Sequence, residues 1–109
     1  MSHYFPTADE FGRHTIFGTI TTRTCAGDNI QFSLVVIPAG GVVEEHSHVN
    51  EQMGLVLDGE LDFTIGGETK RLRPGDVFRI PGGVPHSVVA GDKPVKVLDV
   101  FHPIRDEYR

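Results

Sequence analysis

With 109 residues, of which 39% are hydrophobic and 23% charged, the chain is long enough for one packed domain and too short for two. Ten Lys plus Arg against fifteen Asp plus Glu leave a formal charge of −5, which repels phosphate backbones and anionic membrane surfaces, so neither nucleic acid nor a membrane is an expected partner. Cys25 is the lone cysteine, so no internal disulfide can form, and Met1 to Phe11 lacks the basic-then-apolar pattern of a secretory leader. No apolar run approaches the ~20 residues that a membrane helix needs, and the expected location is the cytoplasm.

Thirteen Gly and seven Pro punctuate short β-branched runs, and no segment carries a helical period. That pattern predicts an all-β sandwich or barrel, one domain over 1–109. After an N-terminal arm over 1–13, strands are expected at about 14–24, 30–37, 42–48, 52–57, 60–65, 69–72, 77–80, 86–90 and 95–101. Asp58-Gly59 and Gly66-Gly67 suit tight hairpin turns that need positive φ. In the strand over 60–65, Leu61, Phe63 and Ile65 share one face, while Glu60, Asp62 and Thr64 share the wet one. The last strand has two partly apolar faces, Val95, Val97, Asp99 and Phe101 against Lys96, Leu98, Val100 and His102. One face is expected to look into the barrel, and the other to pack on a second sheet or on another subunit, which points to a homodimer. Asp99 then lies among apolar neighbours, where an ionised carboxylate is costly unless it is paired or functional.

His46, Ser47 and His48, followed by Gln52 and later by His86, carry the chemistry. Successive side chains of a strand point to opposite faces, so the even-numbered His46, His48 and Gln52 project together if the strand runs through them, and Glu51 points away. Three imidazoles and one amide carbonyl suit one divalent transition metal ion, with zinc, nickel, manganese and iron all open. His3, His14 and His102 have no motif around them and are expected at the surface or an interface. Glu44 and Glu45 read as a solvated rim, and Cys25 as a small buried residue. Asp99 has a structural alternative, pairing with Arg79 or Arg105.

Two stretches resemble the paired motifs of the cupin superfamily, which are double-stranded β-helix (jelly-roll-like) barrels with a metal inside. The first, about 40–59, runs Gly40, His46-Ser47-His48, Gln52, Gly59; the second, about 75–90, runs Gly75, Pro81, Gly83, His86. The family's usual carboxylate ligand is Gln52 here, and the Asn that often closes the second motif is Ala90. An amide in place of a carboxylate leaves a bound metal more electron-poor, which favours proton transfer or hydration over oxygenase chemistry. The segment from Val97 to Asp106, read with the His motif, looks like the small single-domain cupins of pectin and alginate breakdown, the KdgF type. That resemblance implies metal binding by His46, His48, Gln52 and His86. It also implies a pocket lined by Asp99, Phe101 and Arg105, and the conversion of 4,5-unsaturated uronates to linear keto acids. The alternatives are another metal cupin enzyme, a dioxygenase or sugar isomerase, and a non-catalytic module that binds metal or a small ligand.

Overall fold

The structure, a computed structural model, describes residues 3–109. Ten strands follow in order: β1 (Gly12–Ile16), β2 (Ile20–Ala26), β3 (Gln31–Ile37), β4 (Val42–His46), β5 (Glu51–Asp58), β6 (Leu61–Ile65), β7 (Glu68–Leu72), β8 (Val77–Ile80), β9 (His86–Ala90) and β10 (Val95–His102). Single 3-10 turns at Ala8–Glu10 and Asp106–Tyr108 flank them. The strands form a six-stranded sheet, β1-β2-β3-β10-β5-β8, and a four-stranded sheet, β4-β9-β6-β7, with antiparallel pairing throughout. The sheets face each other as a jelly-roll-like sandwich and are not hydrogen-bonded into a closed barrel.

Three expectations need correction. The strand read over 14–24 is a hairpin, because Phe17 and Gly18 both adopt positive φ, 48° and 85°, and reverse the chain between β1 and β2. The segment read as an arm thus ends inside β1. Asp58-Gly59 is not a hairpin turn: Gly59 has the expected positive φ of 77°, but β5 and β6 lie in different sheets, so the pair carries the chain across the sandwich. Gly66-Gly67 does close a hairpin, with Ile65 opposite Glu68. Finally, the strand read over 42–48 stops at His46.

Alternation decides what lies between the sheets. The inward face of β10 presents Val95, Val97, Asp99 and Phe101, each at most 7% exposed. Its outer face carries half-buried Leu98 and exposed Val100, beside exposed Met53 and Val77. Phe63 of β6 meets Phe78 of β8 at 4.4 Å between ring centroids, which ties one sheet to the other.

The interior is graded along the strands. Ile20, Ile37 and Val95 belong to its apolar end, with Val56 and Leu61 also buried. Toward the other end, register sets Thr24, Ser33, Asp99 and Gly54 in one row across four strands, and Gln31, Phe101, Gln52 and Ile80 in another. Gly54 is glycine for a steric reason. A Cβ there would lie 2.1 Å from Cζ of Phe78 and 2.7 Å from Oδ1 of Asp99. Gly54→Ala is therefore expected to destabilise the fold by about 1–3 kcal/mol, the usual cost of overpacking a core, and to displace the Asp99 carboxyl. Urea unfolding with an unchanged slope checks the first effect.

Candidate metal centre and pocket

His46 ends β4, His86 begins β9, and the two are cross-strand neighbours with ring centroids 4.3 Å apart. His48 is not on a strand. It sits in the link to β5, and its ring centroid lies 5.8 Å from that of His46 and 5.0 Å from that of His86. One nitrogen from each imidazole falls within 4.8 Å of the other two. The parity that placed His46, His48 and Gln52 on one face thus reaches the observed convergence by another route, because a turn and not a continuous strand joins them.

Each imidazole is oriented by the backbone. The Nδ1 atoms lie 2.9 Å from the Glu44 carbonyl for His46, 3.0 Å from that of Asn50 for His48, and 2.9 Å from that of Val84 for His86. A carbonyl can only accept, so each Nδ1 carries the proton and each Nε2 offers its lone pair. Burial pushes the His86 imidazole down to about 4, with the neighbouring His46, His48 and Arg105 adding to the effect and the bond to Val84 opposing it. Burial first, and then Arg105, lowers His48 as well. Neutral rings can take a cation without first losing a proton.

Two further features fit a cation. Nε2 of His86 is buried without any hydrogen-bond partner. Gln52 is 6% exposed, and its Oε1 stands 3.1 Å from Nε2 of His48. With Nδ1 protonated, that contact sets two acceptors face to face, a repulsion that a shared positive ion removes. The donor set of imidazole nitrogens and an amide oxygen suits a first-row divalent ion.

Asp99, beside this cluster, is 7% exposed, and its Oδ1 has no hydrogen-bond partner. Burial pushes its carboxyl up to about 7, against a hydrogen bond from Gln52 and the charge of Arg105. Pairing with Arg79 does not occur: Arg79 is exposed and lies opposite Met53, on the outer face. Phe101 packs T-shaped against His48, with ring centroids 5.7 Å apart. The guanidinium carbon of Arg105 lies 5.3 Å from the centroid of Phe101 and 4.6 Å from that of Tyr108. Its Nε is 3.4 Å from Oε1 of Glu107, an ion-pair distance without hydrogen-bond alignment, so the buried Nε remains unsatisfied.

The residues that hold Arg105 were not singled out from the sequence. Gln31, 1% exposed, accepts from the Arg105 amide at 3.0 Å and donates to the Tyr108 carbonyl at 2.9 Å. Thr24 donates to that same carbonyl, and Asn50 donates to the Pro103 carbonyl at 2.7 Å. The signal was present in the strand over 30–37, where Gln31 and Ser33 alternate with apolar residues on what proves to be the inward face. Elsewhere, His3 and His102 are exposed, as are Glu44 and Glu45, and Cys25 is half-buried. His14, expected at the surface or an interface, is half-buried: its ring packs 5.3 Å from that of Tyr108, with Nε2 buried.

The cupin-domain pattern matches residues 33–101, well over half of the chain, and the chain belongs to the cupin family. Within that family, it is similar to KdgF from Halomonas sp., with 30% identity, a TM-score of 0.83, and coverage of 94% of this chain and 96% of that one. It is 26% identical over 82 residues to the pectin degradation protein KdgF of Dickeya dadantii, covering 74% of each. Dimethylsulfoniopropionate lyase DddQ of Ruegeria pomeroyi is 35% identical over 74 residues, which is 67% of this chain but only 37% of that lyase. No helix among the described residues is long and apolar enough to cross a membrane.

Proposed function

We propose that this single-domain cupin binds one divalent transition metal through His46, His48, Gln52 and His86, and converts 4,5-unsaturated uronate monosaccharides to linear keto acids. The observation that carries the reading is the buried carboxyl of Asp99, whose Oδ1 has no hydrogen-bond partner, beside three convergent imidazoles and an arginine. Similarity to KdgF of Halomonas sp. over nearly the whole chain, and to the pectin degradation protein KdgF of Dickeya dadantii over 74% of it, supports the substrate class.

A metal in this site supplies Lewis acidity toward a developing enolate oxygen. The protein's own groups account for the rest. Opening the ring moves the proton of the C1 hydroxyl to the ring oxygen as the bond from C1 to that oxygen breaks, which gives an aldehyde at C1 and an enol at C5. Protonation of C4 and loss of the enol proton complete an isomerisation with no net change in atoms. Asp99, whose carboxyl burial pushes above the ordinary carboxylate range in the metal-free protein, takes and returns those protons. Arg105 forks onto the C6 carboxylate, its guanidinium held between cation–π contacts with Phe101 and Tyr108. Phe101 walls the sugar face.

The test follows the ultraviolet absorbance of the enol ether as metal-loaded protein is added to freshly generated unsaturated galacturonate and guluronate. Loss faster than the spontaneous rate is expected. A trace unchanged by protein would remove the catalytic reading and leave the binding module. Arg105→Ala is expected to raise KM by roughly 10–100-fold with kcat little changed, the value of a charge-assisted bond made equally in ground and transition states.

A further inference from the structure

Phe17 is the one non-glycine residue among the described residues with a positive φ, at 48°, and Gly18 follows it at 85°. Two consecutive positive φ values between the paired Ile16 and Ile20 make a tight reversal, in which Asn, Asp or Gly normally takes the first position. A bulky L side chain is strained there. Packing does not require it. Phe17 is 43% exposed, and a Cβ added at Gly18 would meet nothing within 4 Å, so the tip of the hairpin stands free. The ring points inward all the same. It lies 5.4 Å from the ring of His46, tilted by 52°, and lines the same cavity as His86, Asp99, Phe101 and Arg105. One aromatic ring therefore lies against His46 and another, Phe101, against His48.

Strain kept at a position that packing leaves free, with the side chain set over a pocket, is a feature of binding sites. We infer that Phe17 is a ligand-contacting, specificity-determining residue that takes the apolar C–H face of a single sugar-acid ring and closes the mouth of the pocket against a second ring. This deepens the uronate reading and rests on it for the ligand class. Closure of the mouth is a property of the hairpin itself.

The experiment compares Phe17→Gly and Phe17→Asn, both suited to positive φ, with Phe17→Tyr, which keeps the ring. The Gly and Asn variants are expected to match or exceed the wild-type melting temperature and to retain full metal content. By calorimetry, they should lose about tenfold in affinity for galacturonate while digalacturonate is unaffected or tighter, and Phe17→Tyr should behave as wild type. A lower melting temperature in both would show that the ring serves packing and overturn the proposal. A raised melting temperature with an unchanged ratio of the two affinities would overturn it as well. If the wild type binds neither sugar acid, the uronate reading fails, and the rate at which EDTA strips zinc from the loaded protein decides the mouth: about tenfold faster loss from Phe17→Gly upholds closure, and equal rates overturn it.

Discussion

Protein carrying His46→Ala together with His48→Ala is expected to fold, to purify without bound divalent metal, and to leave unsaturated uronate decaying at its spontaneous rate. Both imidazoles are only half-buried, so their loss opens no core cavity. What it removes is two of the three nitrogens that lie within 4.8 Å of one another. His86 and Gln52 alone offer too few donors for a site that must hold a first-row ion in competition with water. The readouts are elemental analysis and thermal unfolding with added zinc. A ligand that binds only the folded state at 100 times its Kd adds about 2.7 kcal/mol, so zinc should raise the melting temperature of the wild type and leave that of the double variant unmoved. Equal metal content in the two proteins would place the ion elsewhere.

Asp99→Asn is expected to preserve fold and metal while lowering turnover by roughly 10²-fold or more, the range for removing a general acid–base group. Near-wild-type turnover would take the proton carrier out of the mechanism. A second readout needs no substrate. In the metal-free protein, burial raises the Asp99 carboxyl from 3.8 to about 7, so the folded state holds this proton where the unfolded chain has lost it. Its contribution to stability is complete below the unfolded value and is lost as pH rises toward 7. His86 works in the opposite direction: lowered from 6.5 to about 4, it costs stability as pH falls below 6.5. The two slopes oppose each other between pH 4 and 6.5 in the wild type. With Asn at position 99 the His86 slope stands uncompensated, and the metal-free variant should gain stability as pH rises to 6.5 and exceed the wild type above pH 7. Melting curves of chelator-treated protein across that range check the sign, and parallel profiles for the two proteins would assign Asp99 a different environment.

Local rules made much of the molecule legible from the amino-acid order. Period-two alternation in 95–101 named the inward face of β10, including the misfit carboxylate that burial then pushes toward neutrality. Gly66-Gly67 fixed a hairpin because two adjacent positive φ values admit little else. The spacing from Gly40 to Gly59 and from Gly75 to His86 identified the family, and with it the fold and the three imidazoles. Tertiary structure decided what depends on residues distant in the chain. Asp58-Gly59 has the same local chemistry as a hairpin turn, but which strand β5 pairs with is set by burial across the sandwich, and β10 and β8 occupy its two edges. The link from His46 to Gln52 had to turn for three rings to meet, and the backbone carbonyls that set their tautomers come from β4, from that turn and from the approach to β9. Gln31 reaches Arg105 and Tyr108 across 74 and 77 residues of chain, and Phe17 reaches His46 from a hairpin whose break interrupts an otherwise continuous strand pattern. Side-chain alternation and turn preference act over a few residues and can be read in order. The polar clamp on the C-terminal segment and the ring at the mouth exist only once two sheets close on one interior, because their free energy lies in contacts that no local segment contains.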